Sequence, residues 1–330
     1  MKTKIVYCLV SDNEDYFYER LLISLHSLRK HNPNAVVEVV CDNITFATLK
    51  DKRSGVFDYD IHVNSVETLG EWGKKERSRY IKTNLRKLVK GDYLFIDSDT
   101  VICSSLDCVD DISFDVAAVY DSHVERSLPK LSQVRHDSER WVWKEAQKAG
   151  VDVEGLWHFN SGVMYVKDTE KAHELYDGWH DNYKKLLAHE VKIDQLSLLL
   201  TNHQMNNIIS PLDAAMNCQV SFGDGRKKVS DAKIIHYFPG QQKTILSSSW
   251  IMDPIKESGK ININIQHIID EPEKFFDKMS KIVTADADYF VSIPYLLDVS
   301  VNCPFVFKVF LYLLCKYVRT KENLKRWFGK

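Results

Sequence analysis

Asp97 and Asp99 are the residues of this chain whose type and spacing point most directly to chemistry. They close the run Tyr93-Leu94-Phe95-Ile96-Asp97-Ser98-Asp99-Thr100. Four apolar or aromatic residues in a row predict a strand buried on both faces. Side chains alternate along a strand, so 97 and 99 are expected to project the same way. Two carboxylates that close repel each other, and neither readily stays ionised alone. A divalent cation relieves the conflict, because hard carboxylate oxygens suit Mg²⁺ or Mn²⁺. The carboxyl edge of an α/β sheet is also where ligands bind. A metal-bound diphosphate at this edge is the expectation, set against the plainer reading of a strand that ends in a polar turn.

Such a strand needs a sheet around it, and the sequence supplies one. Residues 5–10 (Ile-Val-Tyr-Cys-Leu-Val) predict a first strand, followed by the polar loop Ser11-Asp12-Asn13-Glu14-Asp15. Leu21, Leu22, Leu25 and Leu28 recur at helical spacing, predicting a helix over 16–31 that Asn32-Pro33-Asn34 stops. The valine-rich residues 35–41 predict a second strand, Asp42-Asn43 a turn, and 60–63 a third strand. A basic helix is expected over 74–90, ended by Gly91-Asp92. Further strands are expected over 115–120, 159–167, 207–210 and 233–237, and helices over 170–188 and 193–202. The charged stretch 123–156 reads as a helical or irregular excursion over the site. Strands alternating with helices imply βαβ units and a mostly parallel sheet.

Composition bounds the function classes. With 330 residues, 44% hydrophobic and 27% charged, the chain can build one large globular domain or two unequal ones. A net charge of −2 does not suit a surface that coats nucleic acid, so no nucleic-acid partner is expected. The seven cysteines (8, 41, 103, 108, 218, 303, 315) are odd in number and form no CxxC pair. That pattern speaks against a disulfide framework or structural zinc and for a reducing, cytoplasmic setting. The apolar run after Met1-Lys2-Thr3-Lys4 is too short for a signal-peptide core and reads as a strand.

Five separated segments, in order, resemble glycosyltransferase family 8, the retaining sugar transferases that include bacterial lipopolysaccharide galactosyl- and glucosyltransferases and glycogenin. They are the first strand with Ser11-Asp12-Asn13, then Ser78-Arg79-Tyr80-Ile81-Lys82, then Phe95-Ile96-Asp97-Ser98-Asp99-Thr100. After these come Phe159-Asn160-Ser161-Gly162-Val163 with Asp194-Gln195, and His236-Tyr237-Phe238-Pro239-Gly240-Gln241-Gln242-Lys243. The likeness covers residues 4–250. It implies a GT-A, Rossmann-like α/β fold with a mostly parallel sheet over 1–265, and a C-terminal helical appendage over 266–330. It further implies a UDP-hexose donor (galactose or glucose), Mn²⁺ or Mg²⁺, and a hydroxyl acceptor on a glycan or glycolipid, as in synthesis of lipopolysaccharide or another surface polysaccharide.

The resemblance assigns roles position by position. Asp97, Asp99 and His236 would hold the metal, with Ser98 between them at the nucleotide; neutral imidazole suits Mn²⁺ better than Mg²⁺. Ser11, Asp12 and Asn13 follow a buried strand, where short polar side chains can bond a uracil ring and Tyr16 or Tyr18 can stack on it. A turn with a helix cap is the plainer reading there. Arg79 matches the family's donor-contacting arginine, and its fork suits a diphosphate or sugar hydroxyls. For its neighbours Lys74, Lys75 and Lys87 a solvated charged face is expected. Asn160 would look toward the sugar, or else bond its own turn. Asp194 would bind sugar hydroxyls as well as cap its helix, and Gln195 would lie beneath the anomeric carbon. Gly240 would let backbone amides approach phosphate, and Lys243 would add positive charge there. The chain departs from the family at Leu196, where another Asp is frequent, and at Lys243-Thr244-Ile245, where Lys-Pro-Trp is frequent.

Outside these segments, residues 305–318 form an apolar run too short to span a bilayer. Arg319, Lys321, Lys325, Arg326, Trp327, Phe328 and Lys330 follow it, with only Glu322 opposing. Basic and aromatic residues around an apolar helix suit an anionic membrane surface, which places the protein peripherally on the inner face of the cytoplasmic membrane. A terminal helix packed on the main domain is the alternative. Two other function classes remain open: a metal-dependent nucleotidyltransferase, which would release pyrophosphate, and an inactive membrane-surface adaptor of the same fold.

Overall fold

The computed structural model describes residues 1–220, 229–238, 246, 249–272, 303, 305, 306, 309, 312, 313 and 316. The chain divides into two compact units, 1–277 and 278–330. In chain order the first unit's strands are β1 (Lys4–Leu9), β2 (Val37–Asp42), β3 (His62–Val66), β4 (Tyr93–Ile96) and β5 (Thr100–Ile102). They continue with β6 (Val116–Tyr120), β7 (Phe159–Val166), β8 (Ile209–Pro211), β9 (Cys218–Gln219) and β10 (Ile234–His236). The helices are α1 (Phe17–His31), α2 (Asn43–Thr48), α3 (Lys74–Thr83), α4 (Leu85–Leu88), α5 (Asp137–Ala149), α6 (Glu170–Leu187), α7 (Asp194–Gln204), α8 (Ser249–Ser258) and α9 (Ile263–Asp270).

Seven strands form one sheet in the order β3-β2-β1-β4-β7-β6-β8. Four of its pairings are parallel, and β7 alone runs against its neighbours β4 and β6. The mixed α/β architecture with a mostly parallel sheet is thus the one the sequence implies. Its central strands β1, β2 and β4 are buried on both faces because each face meets a core. Ile5, Tyr7 and Leu9 of β1 join Leu21, Leu22, Leu25 and Leu28 of α1 on one side. Val6 joins Ile81, Leu85 and Trp179 from α3, α4 and α6 on the other. Each fully buried aliphatic side chain of this kind contributes roughly 1.5–3 kcal/mol.

The placement of these helices decides where a ligand can enter. The β1–β2 crossover packs α1 on one face, while the β3–β4 crossover packs α3 and α4 on the other. Strand order reverses between β1 and β4, and such a reversal opens a crevice at the carboxyl edge. A second sheet, β5-β10-β9, continues directly from the end of β4.

Three local expectations are corrected. Asp42-Asn43 is no turn: Asp42 ends β2 and caps α2, its Oδ1 accepting from Thr45 N at 2.8 Å. The basic helix is two helices, broken at Asn84, whose Nδ2 donates to Tyr80 O at 2.8 Å; short amide side chains compete with helical backbone in this way. Asp97 and Asp99 lie beyond the strand, since β4 ends at Ile96 and the chain bends through 97–99 into β5. Sheet alternation therefore does not set their direction.

In the second unit, Phe305, Val306, Val309, Tyr312 and Leu313 are helical and exposed. Among the described residues no helix is long and apolar enough to cross a membrane.

Candidate functional site

Four chain segments meet at the carboxyl edge of the large sheet. The loops after β1, β4 and β6 arrive there because these strands run parallel, and β7 begins there because it runs the other way. Ile96 pairs with Val163 and Tyr120 with Phe159, and Asp97 N donates to Gly162 O at 2.7 Å. The start of β7 is thereby laid alongside both Asp97 and Asp121.

His236 reaches Asp99 through strand register. β10 pairs antiparallel with β5, setting His236 opposite Thr100, and Tyr237 N donates to Asp99 O at 3.0 Å. Ligand atoms of Asp97, Asp99 and His236 consequently lie within 4.8 Å of one another. His236 Nε2 is 3.3 Å from Asp99 Oδ1, and its Nδ1 is 3.0 Å from Asn217 Oδ1. Burial pushes the Asp97 carboxyl above the usual carboxylate range, with Lys82 opposing that rise. Burial works the same way on Asp99, but the hydrogen bond and charge of His236 outweigh it and hold Asp99 low. Two carboxylates, one part-buried and one buried, beside one imidazole are a donor set that fits a divalent cation, and the nitrogen favours Mn²⁺. Ser98 is buried between the two aspartates.

Room for the imidazole comes from Gly162. A Cβ there would stand 2.2 Å from His236 Cε1, 2.8 Å from its Nδ1 and 2.9 Å from Asn160 Oδ1. Any side chain at 162 would occupy the space of the ring, so this glycine serves close approach.

Beside the trio lies a chain of charges. Asp194 is the first residue of α7 and not its cap, which falls at Ile193 without a side-chain bond. Its carboxylate instead takes Arg79 Nε at 2.7 Å, Lys82 Nζ at 3.4 Å and the Ser161 hydroxyl at 2.8 Å. Lys82, only 2% exposed at its side chain, also lies 3.1 Å from Asp97 Oδ1. Burial disfavours a charged Asp194, yet Arg79 and Lys82 prevail and hold its carboxyl well below the usual range. Arg79 and Asp194, expected separately at the donor, are thus partners of each other.

A second carboxylate, Asp121, was not expected. It follows β6, where Ser122 and His123 take the left-handed backbone conformation (φ 54° and 58°), a local strain of order 1 kcal/mol or more each. Asp121 Oδ1 accepts from Asn160 Nδ2 at 2.8 Å and from Gln195 Nε2 at 2.9 Å, and Oδ2 accepts from the Ser122 hydroxyl at 3.0 Å. Burial raises its pKa less than these bonds and the nearby His158 lower it, so the carboxyl is held below its ordinary value. Asn160 and Gln195, predicted site residues 35 positions apart, therefore share one anchor. The available signal was positional: Asp121 ends a predicted strand just as Asp97 does. Lys82 lay inside a quoted segment without a role, and nothing local marked Asn217.

The loop after β1 forms a separate cluster. Ser11 donates to Asp15 Oδ1 at 2.7 Å, and Asn13 is exposed. Asp12 Oδ1 accepts from Lys74 Nζ at 2.8 Å, and Asp15 Oδ2 lies 2.9 Å from the same nitrogen. Lys74 is accordingly not a bland surface charge, whereas Lys87, paired with Asp177 on an exposed face, is. Tyr18 is removed as a stacking candidate: it is buried, with its hydroxyl donating to Arg53 O at 2.6 Å. Tyr16 is part-buried and donates to Asp253 Oδ1 at 2.6 Å. Gly240 and Lys243 lie outside the described residues.

No family model matches the chain, and no curated protein matches it either. Solved structures with similar folds include the glycosyltransferase GlyE of Streptococcus pneumoniae TIGR4, at 16% identity and TM-score 0.46, covering 82% of this chain. The chain spans 63% of the length of that protein. The galactosyltransferase LgtC, in complex with donor and acceptor sugar analogues, matches at 14% identity and TM-score 0.49, over 80% of this chain and 99% of its own. Mouse xyloside xylosyltransferase 1 matches at 12% identity and TM-score 0.45, over 71% of this chain and 97% of its own. At such distances the likeness concerns the fold alone.

Proposed function

We propose that the chain is a GT-A glycosyltransferase of the family 8 type, moving a hexose from a UDP-sugar to a hydroxyl of a glycan or glycolipid with retention at the anomeric carbon. One observation carries this reading: Asp97, Asp99 and His236, from distant points in the sequence, converge within 4.8 Å at the crevice where strand order reverses. That geometry is what a cation-tethered diphosphate requires. A bound Mn²⁺ would supply electrostatic stabilisation of charge on the departing diphosphate.

The chain's own residues then divide the remaining work. Ser11, Asp12, Asn13 and Tyr16 border the uridine end, with Lys74 released from Asp12 when the base takes its place. Arg79 and Asp194 orient sugar hydroxyls as a pair, and Lys82 adds a buried positive charge at Asp97. Gly240 and Lys243 serve the phosphates. Gln195 is held by Asp121 and lies under the sugar. Asp121 itself accepts three hydrogen bonds, which commit it to holding Asn160, Gln195 and Ser122 in place. Front-face attack guided by the leaving phosphate is the mechanism that needs no carboxylate nucleophile beneath the sugar. The exposed apolar helical residues 305, 306, 309, 312 and 313, with the basic segment after them, support a membrane-surface role and an acceptor embedded in lipid, such as a lipopolysaccharide precursor.

The test is a donor screen. UDP-hexoses are offered with Mn²⁺, and UDP release is followed for the wild type and Asp99→Asn. One donor should give metal-dependent UDP release that the variant lacks. Pyrophosphate as the product would identify a nucleotidyltransferase, and no turnover with any UDP-sugar would overturn the proposal.

A further inference from the structure

A line of buried amides joins Asp121 to His236, and its polarity is determined at both ends. Asp121 Oδ1, an acceptor in the ionised group, faces Asn160 Nδ2 at 2.8 Å. The backbone N–H of Gly162, a donor only, faces Asn160 Oδ1 at 2.9 Å. These two contacts fix the orientation of the Asn160 amide independently, and they agree. Asn160 Oδ1 can then only accept from its next neighbour, Asn217 Nδ2, at 2.9 Å. The Asn217 oxygen is left facing His236 Nδ1 at 3.0 Å. A carboxamide oxygen cannot donate. The proton of that contact must belong to the imidazole.

We propose that Asn217 is a positioning residue that keeps a proton of His236 on Nδ1, so that Nε2, on the Asp99 side of the ring, is the nitrogen offered to a divalent cation. The opposite tautomer would place Nε2–H against Asp99 Oδ1, 3.3 Å away, and would close that coordination position. Asn160, Gly162 and Asp121 act through Asn217 by dictating which way its amide points. Partners of the second ring nitrogen orient ligating histidines in this manner, and losing one typically costs 10–100-fold in metal affinity. The inference rests on the metal reading of Asp97, Asp99 and His236, but the tautomer itself is a property of the metal-free protein and is read without any ion.

The experiment uses the full chain with ¹⁵N-labelled histidine and no metal, at a pH where the same spectra show a neutral His236 ring. The resonance is assigned by its loss in His236→Gln. A protonated, pyrrole-type Nδ1 with a pyridine-type Nε2 is expected. A neutral ring protonated at Nε2 overturns the proposal whatever the protein binds. In Asn217→Leu the proton should move to Nε2, and Mn²⁺ affinity, followed by the spin-resonance signal of free Mn²⁺, should fall at least 10-fold. A folded variant that keeps both the Nδ1–H form and the wild-type affinity also overturns it, because a merely structural asparagine would change melting alone. Should the variant not fold, the wild-type spectrum still decides. An Nδ1–H ring in a protein that takes up no Mn²⁺ supports the tautomer and overturns the metal reading instead.

Discussion

Replacing Gly162 by alanine separates the demands of the site from those of the fold. Gly162 sits inside β7 with no left-handed backbone angle, so alanine fits the strand without backbone strain. Its methyl group would nevertheless stand 2.2 Å from His236 Cε1, where ordinary contacts begin near 3.4 Å. The ring must withdraw by about 1.2 Å, whereas metal–ligand distances tolerate roughly 0.2 Å. Withdrawal also breaks the 3.0 Å contact with Asn217, worth about 1 kcal/mol. Overpacking of this kind costs about 1–3 kcal/mol, and losing glycine's freedom in the unfolded chain returns roughly 0.4–1 kcal/mol. The variant should remain folded, less stable by about 1–4 kcal/mol, and bind Mn²⁺ at least 10-fold more weakly. Gly178→Ala is the control: its Cβ would meet Thr201 Cγ2 at 2.8 Å, between α6 and α7 and away from the trio. It should lower the melting temperature and leave Mn²⁺ binding alone. Unchanged affinity in Gly162→Ala, or equal losses in both variants, would refute the reasoning.

Other perturbations probe neighbouring groups. Asp97→Asn and Asp99→Asn should each abolish UDP release while leaving a folded protein; wild-type rates would reject the metal trio. Asp194→Asn leaves the buried Lys82 with only Asp97 and should cost about 3 kcal/mol in urea unfolding at pH 7. Because the folded pKa of Asp194 is depressed, the unfolded chain takes up its proton first as pH falls. Its contribution is therefore full above about pH 5 and is lost as pH drops through the unfolded value near 3.9 and below. Asp194→Asn should flatten that acid limb, and an unchanged pH profile of stability would contradict the assignment. Deleting residues 304–330 should weaken sedimentation with anionic liposomes and spare hydrolysis of soluble UDP-sugar; undiminished liposome binding would refute the membrane role.

The sequence was most informative where one interaction dominates. Runs such as Tyr93–Ile96 read correctly as doubly buried strands because both faces meet apolar cores. Asp97, Asp99 and His236 could be nominated from residue type and resemblance, but their meeting depends on the pairing of β5 with β10, and neither three-residue strand has a period long enough to read. Alternation gave the wrong reason for the two aspartates, because the strand stops one residue too soon. Arg79 and Asp194 were both nominated, but a salt bridge between residues 115 positions apart leaves no local trace. The basic run 74–90 looked like solvated surface, yet Arg77, Lys82 and Arg86 are buried, each against a carboxylate contributed by another element. Burial of a long cation is set by tertiary partners, and composition does not carry that information.

A crystal soaked with UDP and Mn²⁺, with diffraction collected at the manganese absorption edge, decides whether Asp97, Asp99 and His236 share an ion. One anomalous peak is expected within coordination distance of Asp97, Asp99 and His236 Nε2, touching the pyrophosphate of the nucleotide. A peak elsewhere, or a nucleotide bound with no ion among those three side chains, would contradict it.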